Sequence, residues 1–149
     1  MAMAEVLSFS DVKRQKDFEL EKNLLKELSL TQIIQSVKAC LSPLFPFLQD
    51  ENGILSEGCI DFAIEAYLLG GRFGVFGYYG ESLQRANARS SEEEEELTVD
   101  FFEYLCSWTH EQYSSVEQKE IYEASCRFIN SWWTEGFLQR KKQCKLRMR

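Results

Sequence analysis

Histidine and proline are scarce in this chain: His110 stands alone, and the prolines are Pro43 and Pro46. One histidine leaves no His cluster for a metal, and no Ser/His/Asp or Cys/His arrangement can be assembled without inventing its geometry. The five cysteines (Cys40, Cys59, Cys106, Cys126, Cys144) are odd in number and form no Cys-x-x-Cys pair. That spacing argues against a zinc site or a disulfide framework and for reduced thiols in a cytoplasmic protein. No apolar run followed by a small-residue cleavage site occurs near the N-terminus, so no secretory signal is read. The most apolar stretch, 60–79, carries Asp61, Glu65, Arg72 and four glycines, which excludes a lipid-spanning helix. Strict alternation of apolar residues is nearly missing as well, which removes the main signal for strands.

What is present suits an ordinary globule. The chain has 149 residues, of which 44% are hydrophobic and 13% aromatic, enough for one domain with a real core and no need of a metal. The net charge of −7 is unevenly spread. Residues 54–110 hold eleven acids against three bases, whereas Arg140, Lys141, Lys142, Lys145, Arg147 and Arg149 crowd the last eleven positions without an acid. The body should repel nucleic acid and anionic lipid, and the tail should attract them.

Helical spacing of apolar residues predicts an all-α fold, a bundle of about five helices. The first is expected from Ser10 as N-cap, with its opening turns wet, and the second from Ser29 or Thr31 until Pro43 stops it. The third should run from about Ser56 to Leu69 and end at Gly70 and Gly71. A short helical piece covers Leu83–Arg89. A capping box at Ser91 and Glu94, or at Ser90 and Glu93, predicts the fourth helix, with Leu97, Phe101, Tyr104 and Trp108 on one stripe. The fifth should start at Ser114 or Ser115 and carry Ile121, Ser125, Phe128 and Trp132. Helices four and five, alike in expected length and separated by a short polar loop, are read as an antiparallel hairpin at the centre of the core.

The segment from Gly71 to Gly80 repeats glycine at every third position with Phe73, Phe76, Tyr78 and Tyr79 between. As a loop it could cover a ligand or bind a partner, Arg72 holding an anion and Tyr78 or Tyr79 stacking, with Phe73 on the same surface; the preferred reading is a compact loop whose rings plug the core. It is no phosphate-binding loop, since no strand precedes it and no Gly-Lys-Ser/Thr follows. The Gly71-Arg72-Phe73-Gly74 match to the GxxG pattern of KH domains is weak without a sheet. Asp61 and Glu65 stand one helical turn apart and could serve acid/base or metal chemistry, although solvated carboxylates on a helix are far commoner. The run Glu92–Glu96 reads as a solvated helix start favoured by the dipole. The basic tail could bind nucleic acid or an acidic partner; the preferred reading is a frayed, flexible terminus. Of the adjacent Trp132 and Trp133, one should point inward and the other, taken as Trp133, offers a dimer contact.

Arg14–Leu30 (RQKDFELEKNLLKELSL), Ala63–Gly71 (AIEAYLLGG), Phe76–Glu81 (FGYYGE) and Trp132–Phe137 (WWTEGF) together resemble a family of small proteins of Bacillus-type spore-forming bacteria, the YbaK-like family, distinct from the tRNA deacylase of that name. The resemblance spans most of the chain and implies a bacterial cytoplasmic protein. It brings no catalytic residue, metal or cofactor. The functional expectation is a non-enzymatic interaction or regulatory protein with a protein partner or a second copy of itself. Nucleic-acid or nucleotide binding through the tail and the glycine-aromatic segment is the alternative, and an enzyme built on Asp61 and Glu65 comes third.

Overall fold

A computed structural model describes residues 9–45, 53–108 and 118–147. Among them are six helices: α1 (Phe9–Lys26), α2 (Leu30–Leu44), α3 (Ile54–Tyr78), α4 (Leu83–Arg89), α5 (Ser91–Cys106) and α6 (Gln118–Arg147). The all-α architecture expected from periodicity is what the chain adopts, and the described residues contain no strand.

The centre of the bundle is the pair α3 and α6, not the hairpin of α5 with α6. These two helices run parallel. The Gly70 Cα faces the Trp133 backbone, Gly74 faces Phe137 and Arg140, and Gly77 faces Phe137 and Lys141, so positions advance together along both axes. A Cβ on Gly70 would strike the Trp133 carbonyl oxygen, and one on Gly136 would strike that of Tyr67. Glycine therefore lets the two backbones touch. This reverses the expectation for 70–80. α3 does not end at Gly70 and Gly71; it continues for two more turns, and the predicted loop is helix as far as Tyr78. Each glycine costs a helix about 1 kcal/mol relative to alanine, and close packing along α6 outweighs that local preference. The true stop is Gly80, in the left-handed region at φ 99°. Its N–H donates to Gly77 O at 3.1 Å and the Glu81 N–H to Phe76 O at 3.0 Å, the paired bonds of a Schellman C-cap.

α5 lies antiparallel to both central helices. Tyr104 donates its hydroxyl to the carbonyls of Ile54 and Leu55 at 3.1 Å each. Phe101 sits 5.1 Å from Phe62 and stacks on Phe128 at 4.8 Å. The expected antiparallel packing of these last two helices is thus present, although α5 has 16 residues against 30 in α6. The predicted start of the last helix at Ser114 or Ser115 lies outside the described residues, as does His110. No capping box forms at α5: Ser90 is the N-cap but its hydroxyl donates back to Asn87 O at 3.3 Å instead of capping, and Glu94 turns its carboxylate to Asn87 Nδ2 at 2.5 Å and Asn130 Nδ2 at 2.9 Å, clamping α4 and α6 together.

α1 and α2 follow one another along α6, antiparallel to it. Gln143 Nε2 donates to Asn23 O at 3.0 Å near one end, and Trp132 Nε1 to Ser36 Oγ at 3.0 Å farther along. Ser29 caps α2 as expected, accepting from the Gln32 N–H at 3.3 Å. Pro43 does not stop α2, which reaches Leu44; by then the last turn is closed by the Phe45 N–H on Leu41 O at 2.7 Å. The main core draws side chains from α1, α2, α3, α5 and α6, and a smaller one of Leu69, Ala86, Trp133 and Phe137 sits beneath α4.

Candidate functional site

The residues singled out in the sequence do not converge on one place. Asp61 and Glu65 are exposed on α3. Glu65 borders a shallow depression of about 410 Å³ whose rim also bears Arg72, Glu93, Glu96 and Asp100. That surface is open, with four carboxylates and one guanidinium, and repulsion among the acids discourages anionic substrates. Among the described residues no group of three His, Cys, Asp or Glu side chains is arranged to hold a metal. Arg72 does not await an anion: its Nη2 pairs with Glu21 Oε1 at 3.1 Å, tying α3 to α1.

The aromatic segment is part of the packing. Phe73 is half-buried, 6.4 Å from Trp133 and 6.0 Å from Phe76 between ring centroids. Phe76 is covered by the Arg89 guanidinium at 4.5 Å, and Arg89 Nε also donates to Glu81 Oε1 at 2.8 Å, which fastens α4 over the end of α3. Tyr78 and Tyr79 lean on each other edge to face at 5.1 Å, and Tyr79 alone of this group is fully exposed. Trp133 corrects the dimer expectation: it is 0% exposed, stacked on Phe137 at 5.3 Å. Both tryptophans point into the core because α6 is covered on two sides, by α3 with α4 and by α2.

A groove of about 290 Å³ between α2 and α6 is lined by Ser36, Cys40, Pro43, Ala124, Arg127 and Phe128 among others. Burial pushes the Cys40 thiol up to about 11, with Arg127 only partly opposing it. A thiol so held is protonated at neutral pH and is a poor nucleophile.

The basic segment is not a loose end. Arg140–Arg147 form the last turns of α6, and Cys144 among them is buried; Arg149 lies outside the described residues. Lys141, Lys142, Lys145 and Arg147 are exposed, whereas Arg140 is half-buried with its stem over Gly74. Among the described residues its buried Nη1 has no hydrogen-bond partner. A groove of about 350 Å³ between α1 and this end of α6 is lined by Gln15, Lys16, Glu19, Leu20, Asn23, Arg140 and Arg147. Sequence reasoning collected the bases of the tail but missed that Arg140 differs from its neighbours. The available signal was Gly74, one of a row of glycines on the facing helix.

α1 supplies the other surface that sequence reasoning underrated. Its 18 residues contribute one buried side chain, Leu24. Phe9 is 85%, Phe18 63% and Leu25 44% exposed. Among the described residues no helix is long and apolar enough to cross a membrane.

A protein of Bacillus subtilis (strain 168) named "Uncharacterized protein YbaK" is 74% identical over 147 residues, which covers 99% of this chain and 100% of the relative. No solved structure matches the chain. A family model described as "Protein of unknown function (DUF2521)" matches residues 3–149, and the chain belongs to that family, as the resemblance in its sequence implied.

Proposed function

We propose that this chain is a non-enzymatic protein-interaction module that associates with a second copy of itself through α1. The observation that carries the reading is the exposure of Phe18 and Leu25, seven residues apart and therefore on one face of a helix that buries only Leu24. Large apolar side chains that share one exposed face mark interaction surfaces more often than scattered ones do. Charge selects the occupant. α1 carries five bases and four acids, so two copies can approach along it without net repulsion. α5, with seven acids and no base, would repel its own copy. The open, acid-lined depression at Glu65 and the raised thiol of Cys40 lend no support to a catalytic centre at either place.

Sedimentation velocity of the full chain across the micromolar range tests this. A concentration-dependent dimer is expected, and Phe18→Glu should weaken it about tenfold or more, as loss of an apolar anchor does, while the circular dichroism spectrum stays helical. A monomer at every concentration overturns the reading. So does a dimer indifferent to Phe18→Glu, which would place the interface elsewhere.

A further inference from the structure

The basic end of α6 holds a more specific feature than its charge. Arg140 leaves α6 opposite Gly74, and the missing side chain at that glycine is what lets the arginine stem lie against α3. Any larger residue at position 74 would meet Arg140 Cβ. Arg140 also borders the groove between α1 and α6, where Gln143 pins the two helices by donating to Asn23 O at 3.0 Å. Nη1 is buried and finds no acceptor among the described residues. A guanidinium N–H kept from both water and partner costs free energy comparable to a lost charge-assisted hydrogen bond, and an acceptor that parts the side chains covering it would gain that bond back.

The surroundings say what kind of acceptor. Lys16 and Arg147 join Arg140 on the walls, against one carboxylate, Glu19. Three cations over one anion favour a compact group bearing about two negative charges, and the planar fork of arginine matches tetrahedral oxyanions. Among the described residues no aromatic side chain lines the groove to stack on a base. Its volume, about 350 Å³, falls at the small end of ligand sites. We infer that the groove between α1 and the end of α6 binds a small phosphate-bearing anion, held by Arg140 with Lys16 and Arg147. The ligand is a free phosphate compound; a nucleic-acid strand would need stacking platforms that this groove lacks.

Inorganic phosphate is the probe. The full chain is titrated with sodium phosphate, against sodium chloride at matched ionic strength, while NMR follows the Arg140 side-chain N–H signals and the amides of 15–23 and 140–147. Saturable shifts with phosphate and not with chloride are expected. Arg140→Met should weaken binding about tenfold or more, with Arg140→Lys between it and the parent. Lys142→Met removes the same charge from outside the groove and should stay within about twofold. Chloride matching phosphate, or equal losses in the Arg140 and Lys142 variants, would reduce the effect to diffuse attraction and overturn the site. A single-stranded oligonucleotide that binds where phosphate does not would overturn it too. Should Arg140→Met unfold, the parent titration and the Lys142 variant still decide. The outcome is independent of the dimer, which is read by sedimentation in phosphate-free buffer.

Discussion

α1 and α6 are both long, charged helices lying side by side, yet one contributes a single buried residue and the other ten. The contrast has a cause in small residues. α6 meets α3 through Gly70, Gly74, Gly77 and its own Gly136, so the backbones approach closely and large neighbours such as Trp133 and Phe137 are sealed in. α1 has no glycine and meets the bundle through a few points: Leu24 against Gly71, the Leu24 carbonyl, Glu21 and Asn23. Helices that dock by backbone contact exclude water along their length. Those that dock by points leave faces open to solvent, to ligands and to partners, and both functional proposals fall on α1 for that reason.

The comparison breaks most visibly at the glycines. Gly136→Ala would set a methyl group on the Tyr67 carbonyl oxygen, and Gly70→Ala on that of Trp133. Backbone cannot rotate aside, so the helices must separate. Each substitution should cost about 3 kcal/mol, the upper part of the overpacking range, by urea denaturation of the full chain. Gly71→Ala is the control. Its methyl group meets the Leu24 side chain first, which can give by a shift where a backbone carbonyl cannot, and the higher helix propensity of alanine offsets part of the strain. A loss below about 1 kcal/mol is expected there. Equal losses at Gly71 and Gly136 would show that the backbone contact is not what distinguishes the central pair.

This is also where the sequence was most misleading. Intrinsic propensity makes the glycines at every third position from Gly71 to Gly80 look like a loop, and a single-sequence reading has no partner to set against it. The same residues, read as helix, place Gly70, Gly74 and Gly77 on one face at spacings of four and three, the pattern of a helix-helix contact; Gly136 on a later helix completes it. The helical class, the caps at Ser29 and the short helix over Leu83–Arg89 were legible because they depend on local spacing. Pro43 was overread for the mirror reason, since one residue beyond a proline is still compatible with a closing turn. The basic residues of the groove were legible as charge. The inward turn of Arg140 was not, because it depends on Gly74 some sixty residues away.

The attachment of α1 can be loosened by pH. The Tyr67 hydroxyl donates to Leu24 O at 2.8 Å, and burial, followed by the nearby carboxylates of Glu27 and Glu135, raises its ionisation to about 12. The folded state thus holds the phenolic proton more tightly than the unfolded chain, whose tyrosine ionises near 10. The stabilisation is complete below pH 10 and is lost as pH rises from 10 to 12, by roughly 2–3 kcal/mol at the far end. Tyr67→Phe should remove that alkaline slope and cost about 1 kcal/mol at neutral pH, the Glu27 N–H still satisfying Leu24 O at 3.1 Å. Hydrogen exchange should then accelerate in α1 before α6. Uniform acceleration in both helices would mean that α1 is as firmly held as the centre.

The smallest effect belongs to the ion pair of Arg72 with Glu21, the other link between α1 and α3. At 3.1 Å the geometry is good, but the side chains are 53% and 34% exposed. Water and salt screen such a pair, and ordering two long side chains offsets much of the attraction. Arg72→Gln should therefore lower stability by about 0.5 kcal/mol or less, with the difference vanishing in high salt. The substitution also leaves the depression at Glu65 with four carboxylates and no cation, so part of any loss reflects repulsion released there. Pairing it with Glu21→Gln separates the two. If Glu21→Gln alone loses as much as Arg72→Gln and the double variant loses no more than either, the attraction to Glu21 is the whole effect; a neutral Glu21→Gln, with the double variant matching Arg72→Gln, would assign it to the acidic surface and leave α1 held by Leu24, Tyr67 and Gln143.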